Sequence, residues 1–162
     1  MDERIEELVR RLVNIDLEDL APKSKEPAVA KRLAPSLFGI EPLTLRPGLG
    51  IDGSERNPDD ARTFSDKGPK IDIAIEYKLY RDRDKGAGEM DRALGQCIAY
   101  AEMYDAVLFF VVYMGEPEHV IPSRWIDRSV PLRVGHKTPG VPVYFAARPR
   151  SWNEPWSSRF QR

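Results

Sequence analysis

The chain has 162 residues, 41% of them hydrophobic and 31% charged, with a formal net charge of -1. That length closes one hydrophobic core as a single domain, and the balance excludes both wholesale disorder and a global basic field for polyanions. The lone cysteine, Cys97, excludes an internal disulfide and a thiolate metal cluster. No apolar run approaches the roughly 20 residues of a membrane span, and the expected setting is cytoplasmic.

Asp2 to Val13 places Ile5, Leu8, Val9, Leu12 and Val13 at helical spacing, with Glu3, Glu6 and Glu7 early and Arg10 and Arg11 late. That order suits the helix dipole and does not fit a signal peptide. Residues 1–25 read as a helical extension ahead of the domain. A second helix is predicted from Glu26 to about Leu37, with Pro27 in its first turn, where a missing N–H is harmless. Pro35 is expected to weaken or end it, Gly39 to close it, and Glu41–Arg46 to form a first strand. Residues 47–69, rich in glycine and proline, read as a long, polar, turn-rich connection.

Lys70 to Tyr80 is the clearest strand. Ile71, Ile73, Ile75, Tyr77 and Leu79 share one parity, and Lys70, Asp72, Ala74, Glu76 and Lys78 the other. Such alternation predicts a half-buried strand with its charged face toward solvent. A loop, Arg81–Gly88, leads to a helix from Glu89 to Tyr104 with Met90, Ala93, Leu94, Cys97, Ile98 and Ala101 as its apolar stripe. Val107–Tyr113 is a continuous apolar run, consistent with a buried strand. Val141–Ala146 reads as a last short strand. In the tail, residues 148–162, Trp152 and Trp156 are expected to staple the chain to the domain. The order predicts an α/β domain with a mixed central sheet flanked by helices, the crossover helix making strands 70–80 and 107–113 parallel.

Glu76 and Lys78 lie about 7 Å apart on one face of the strand, an arrangement able to hold a metal ion with an ammonium beside it. Asp72 shares that face, yet roughly 13 Å of strand separates it from Glu76, too far for one ion. It is expected to pair with Lys70 or a neighbouring basic residue. His119 and His136 have no ligand spacing, and Cys97 reads as core.

Glu76-Tyr77-Lys78 follows Pro58-Asp59 and precedes Gln96-Cys97-Ile98-Ala99-Tyr100. In this order the elements resemble the PD-(D/E)xK nuclease superfamily, and especially its RecB-type branch, over roughly residues 26–113. The resemblance implies a restriction-endonuclease-like fold and hydrolysis of nucleic acid, DNA by expectation, with Mg²⁺ or Mn²⁺. It implies Asp59, Glu76 and the Tyr77 carbonyl as metal ligands, with Asp52 the alternative to Asp59 and Asp60 left open. Lys78 would orient water or stabilise developing charge, and Gln96 and Tyr100, one helical turn apart, would fix the lysine, the water or a phosphate. Glu26 is either an extra ligand or an acid favoured by a helix N-terminus. The family pattern wants an apolar strand after the aspartate, and none is evident behind Asp59 or Asp52. Arg81, Arg83 and Lys85 are candidate phosphate contacts, and a homodimer is the arrangement for cutting two strands. Two rival readings remain: a catalytically degenerate member that binds nucleic acid or a protein, and a small structural or interaction protein with a coincidental Glu-x-Lys.

Overall fold

The computed structural model describes residues 2–17, 19–21, 23–43, 45–49, 53–66, 68–80, 83–114, 132–134 and 141–149. Helix α1, Glu3–Asn14, begins at Asp2, whose carboxylate accepts the Arg4 backbone N–H at 2.9 Å. It is no appendage. Ile5, Leu8 and Leu12, followed by Leu17 and Leu20, are buried in the same core as the sheet. Arg4 also ties the helix to the turn at 65–70 by donating to the Pro69 carbonyl at 2.8 Å.

Helix α2, Glu26–Phe38, runs through Pro35 and stops at Gly39. The proline does not end it because its fixed φ is helical and Val29, Ala30, Leu33, Ala34 and Leu37 bury one face. Gly39 takes φ 72°, the left-handed cap that only a residue without Cβ adopts freely, and donates to the Pro35 carbonyl at 2.8 Å.

Among the described residues of 41–46 there is no strand. Pro42 has no N–H, and two further amides are claimed by side chains: Leu43 by the Asp60 carboxylate at 2.9 Å, and Arg46 by the Tyr104 hydroxyl at 3.2 Å. The turn-rich connection that follows holds more structure than its composition suggests. Gly48–Leu49 (β1) and Glu55–Arg56 (β2) pair antiparallel, and Asp60–Phe64 (β3) joins the main sheet. The sequence hides β3 because it is polar. Arg62 is nevertheless buried, its guanidinium held by Asp60 at 2.9 Å, by the Glu41 carbonyl at 3.0 Å and over the Phe38 ring at 4.2 Å. Two buried charges cancel locally, so a strand without an apolar pattern still packs.

The main sheet orders its strands β3-β4-β5-β7-β6, with β4 Ile71–Tyr80, β5 Ala106–Tyr113, β6 Leu132–Val134 and β7 Val141–Pro149. Strands β4, β5 and β7 are mutually parallel, and β3 and β6 run antiparallel on the two edges. The parallel pairing of β4 and β5 follows from the crossover helix, as the order of elements predicted. Strand β7 extends past Ala146, and β6 was not anticipated. The histidines at 119 and 136 and the tail tryptophans lie outside the described residues.

Strand β4 is not half-buried. From Asp72 to Tyr77 every residue is buried, because helices cover both faces. Phe38 of α2 lies against Arg62 and Phe64 on the face of Ile73 and Ile75. Helix α3, Arg83–Ala101, covers the other face with Ala93, Cys97 and Tyr100. It starts six residues earlier than the sequence suggests, since Gly86 and Gly88 disfavour helix by about 1 kcal/mol each and hide its first turns. Its buried stripe is rotated accordingly: Ile98 is 36% exposed and Tyr100 fully buried. Among the described residues no helix is long and apolar enough to cross a membrane.

Asp60→Ala leaves the Arg62 guanidinium buried without its counter-charge, and is expected to lower stability by about 3–5 kcal/mol. The double variant Asp60→Ala/Arg62→Leu should recover most of that loss in urea denaturation.

Candidate active site at the end of β3

The antiparallel register pairs Asp60 with Ile75 and Ala61 with Ala74. Continued by one residue, it sets Asp59 opposite Glu76, and cross-strand partners point to the same face. Asp60, one step along, necessarily points to the other face, where Arg62 holds it. It is thereby separated from Glu76. Asp52 lies outside the described residues.

Pro58 explains why the ladder stops there. In an antiparallel pair a residue turns its N–H and C=O to the same neighbour, and the partner due opposite Tyr77 is Pro58, which has no N–H to give. The Tyr77 N–H instead donates to the Asp59 carboxylate at 2.8 Å. By strand geometry the Tyr77 carbonyl leaves on that same side.

Past the end of β3, the last residues of β4 become the sheet's edge. There Lys78 meets Glu26, the first residue of α2, at 2.7 Å, with side chains 17% and 35% exposed. Deeper in, Glu76 is only 7% exposed, and its Oε2 is buried with no hydrogen-bond partner. The Asp59 backbone N–H and the Tyr100 hydroxyl lie close enough to the Glu76 carboxyl to favour its charged form. That hydroxyl also donates to the Asn57 carbonyl at 2.9 Å.

The electrostatics follow from burial. Desolvation, then repulsion from Asp59, pushes the Glu76 carboxyl up to about 8, against which Tyr100, the Asp59 amide and Lys78 pull it down. Desolvation also raises Asp59 to about 6, opposed by the Tyr77 amide and Lys78 and reinforced by Glu26. Glu76 is buried, Asp59 is half-buried, and one Glu76 oxygen lacks a partner. Holding a carboxylate there costs several kcal/mol, so the pair is not retained for stability. Burial, and after it the charges of Glu76 and Asp59, raises the Cys97 thiol; it stays protonated and acts as core.

Thus Glu26, Asp59, Glu76, Lys78 and Tyr100 come together, with Gln96 half-buried one turn before Tyr100 on α3. Arg83 and Lys85 fall in the first turn of α3 rather than in a loop, and Arg81 lies outside the described residues. Asp72 stands apart, paired with Arg46 at 2.8 Å and Thr63 at 2.6 Å, and with Lys70 at 3.8 Å. Among the described residues no three His, Cys, Asp or Glu side chains converge as a metal cluster.

Two residues escaped sequence reasoning. Asn57 contributes only its carbonyl, which no side-chain pattern signals. Gly48 matters by proximity: a Cβ there would lie 2.7 Å from Tyr100 Cδ1 and 3.0 Å from the Ala99 backbone. Its place in a Pro-Gly-x-Gly run made it read as turn punctuation. Comparison with family models, curated proteins and solved structures finds no match for this chain.

Both carboxyls bind protons more tightly in the fold than at their ordinary values of 3.8 and 4.5. Between those values and about pH 8 the native state holds more protons than the unfolded chain, so stability falls as pH rises. The metal-free protein should therefore show a lower urea midpoint at pH 8 than at about pH 5. Glu76→Gln, which cannot ionise, should flatten that slope.

Proposed function

We propose that this chain is a metal-dependent nuclease of restriction-endonuclease-like fold that hydrolyses DNA phosphodiester bonds. The observation carrying this reading is the facing pair Asp59 and Glu76, one oxygen buried and unpartnered, with Lys78 next along the same face. The donor set fits a hard dication. Mg²⁺ is held by one or two carboxylates together with waters and substrate phosphates, so two acids and the Tyr77 carbonyl are a sufficient protein share. Oxygen ligands alone favour Mg²⁺ or Mn²⁺ over zinc. A cation there would also offset the repulsion from Asp59 that, after desolvation, raises the Glu76 carboxyl.

Bound there, Mg²⁺ or Mn²⁺ supplies Lewis acidity toward a phosphoryl oxygen and lowers the pKa of water. The chain's own residues do the rest. Asp59 and Glu76 grip the cation, and the Tyr77 amide fixes the Asp59 carboxylate. Lys78 brings positive charge to the open edge, where it stabilises negative charge developing on the phosphate. Glu26 orients that ammonium. A cytoplasmic homodimer cutting both strands of a duplex is consistent with this arrangement.

A second reading, a catalytically silent nuclease fold that binds nucleic acid, is favoured by one observation: the Lys78 ammonium is already claimed by Glu26. Incubation of plasmid and single-stranded DNA with Mg²⁺ or Mn²⁺ separates the two. Cleavage by the wild-type protein, reduced about a hundredfold or more in Glu76→Gln and in Lys78→Ala of equal stability, is the expected result. Binding of Mn²⁺ and DNA with no cleavage would favour the silent reading, and cleavage unaffected by either substitution would sink the catalytic one.

A further inference from the structure

We propose that Gly48 and Tyr100 are positioning residues that set the separation of Asp59 and Glu76, and so the cation affinity of the site; this rests on the metal-dependent reading above. Tyr100 is fully buried, so its hydroxyl is not offered to a nucleic acid in solvent. One oxygen instead joins two chain segments. Its proton goes to the Asn57 carbonyl at 2.9 Å, two residues before Asp59, and the oxygen lies near enough to the Glu76 carboxyl to influence it. The distance between the acids is thereby coupled to where this ring sits.

Gly48 fixes the ring's place. Its α-carbon abuts α3 so closely that a methyl group would fall 2.7 Å from Tyr100 Cδ1, and 3.0 Å from both the carbonyl carbon and oxygen of Ala99. Separations below about 3 Å are not sustained by carbon atoms at rest, whose contact optimum lies near 3.5–4.0 Å. The ring alone is able to swing, yet the Ala99 backbone is held in a helix, so a methyl group must push β1 and the ring apart. Either movement shifts the hydroxyl away from Asn57 and Glu76. The closeness of β1 to α3 is therefore a condition for the geometry of the acid pair. Groups that orient a metal's ligands in this way typically account for 10–100-fold in affinity.

The test is Mn²⁺ binding to the full-length protein without DNA, followed by electron paramagnetic resonance of the free ion, beside steady-state cleavage of DNA. Tyr100→Phe keeps the ring and removes the oxygen. It is expected to weaken Mn²⁺ about tenfold or more, and to lower kcat at saturating metal while leaving KM for DNA unchanged. Gly48→Ala should weaken Mn²⁺ similarly, and the double variant should be no worse than the weaker single, since both act through one oxygen. Unchanged Mn²⁺ affinity in Tyr100→Phe overturns the assignment, as does a rise in KM with metal binding intact, which would make the tyrosine a substrate contact. A wild-type protein that binds no Mn²⁺ removes both this role and the nuclease reading. A wild-type protein that binds Mn²⁺, loses it in Tyr100→Phe and cuts no DNA upholds the positioning role while ending the nuclease reading.

Discussion

The pairing of β3 with β4 governs the candidate site. Because side chains alternate along a strand, a single register brings Asp59 to Glu76 on one face and buries Asp60 with Arg62 on the other. Adjacent aspartates thus take unlike tasks without any difference in chemistry. Pro58 completes the arrangement by withholding the amide that would have extended the ladder. The Tyr77 N–H passes to the Asp59 carboxylate in its place, and β4 runs on past β3, paired with β5, to present Lys78.

What makes such a site tolerable is the apolar mass behind it. Strand β5 carries Val107, Leu108, Phe109, Phe110, Val111 and Val112, all buried, and each such side chain contributes on the order of 1.5–3 kcal/mol when removed from water. Helices α1 and α2 close one side and α3 the other. Against that background the fold can hold a carboxyl oxygen with no partner and two acids that repel. Burial raises both carboxyls and repulsion from Asp59 raises Glu76 further, and acids perturbed in this way mark a candidate functional site.

Legibility in the sequence tracked the strength of the hydrophobic pattern. The isoleucine alternation located β4 to within a residue, and the unbroken apolar run located β5 and implied its parallel pairing. The Glu-x-Lys placement followed directly. Strand β3 was invisible because its burial rests on an Asp60–Arg62 pair and a stacked Phe38 ring, none of which leaves a periodic trace. The same invisibility left Asp59 and Asp52 as rivals: the choice between them depended on a register that only the formed sheet reveals. Gly86 and Gly88 concealed the first turns of α3, and with them the rotation that buries Tyr100 and exposes Ile98. The Lys78–Glu26 pair joins residues far apart in the chain, and spacing alone does not announce it.

The alternation of β3 has an evolutionary corollary. Inserting or deleting one residue between Asp60 and Phe64 would exchange the faces of the two aspartates, sending the charge-paired one to the side of Glu76 and its neighbour beneath α2. A change of length at 65–70 would be absorbed by the turn and leave both where they are. Lineages descended from this chain should therefore vary freely in that hairpin tip while keeping an invariant count along the strand that feeds it.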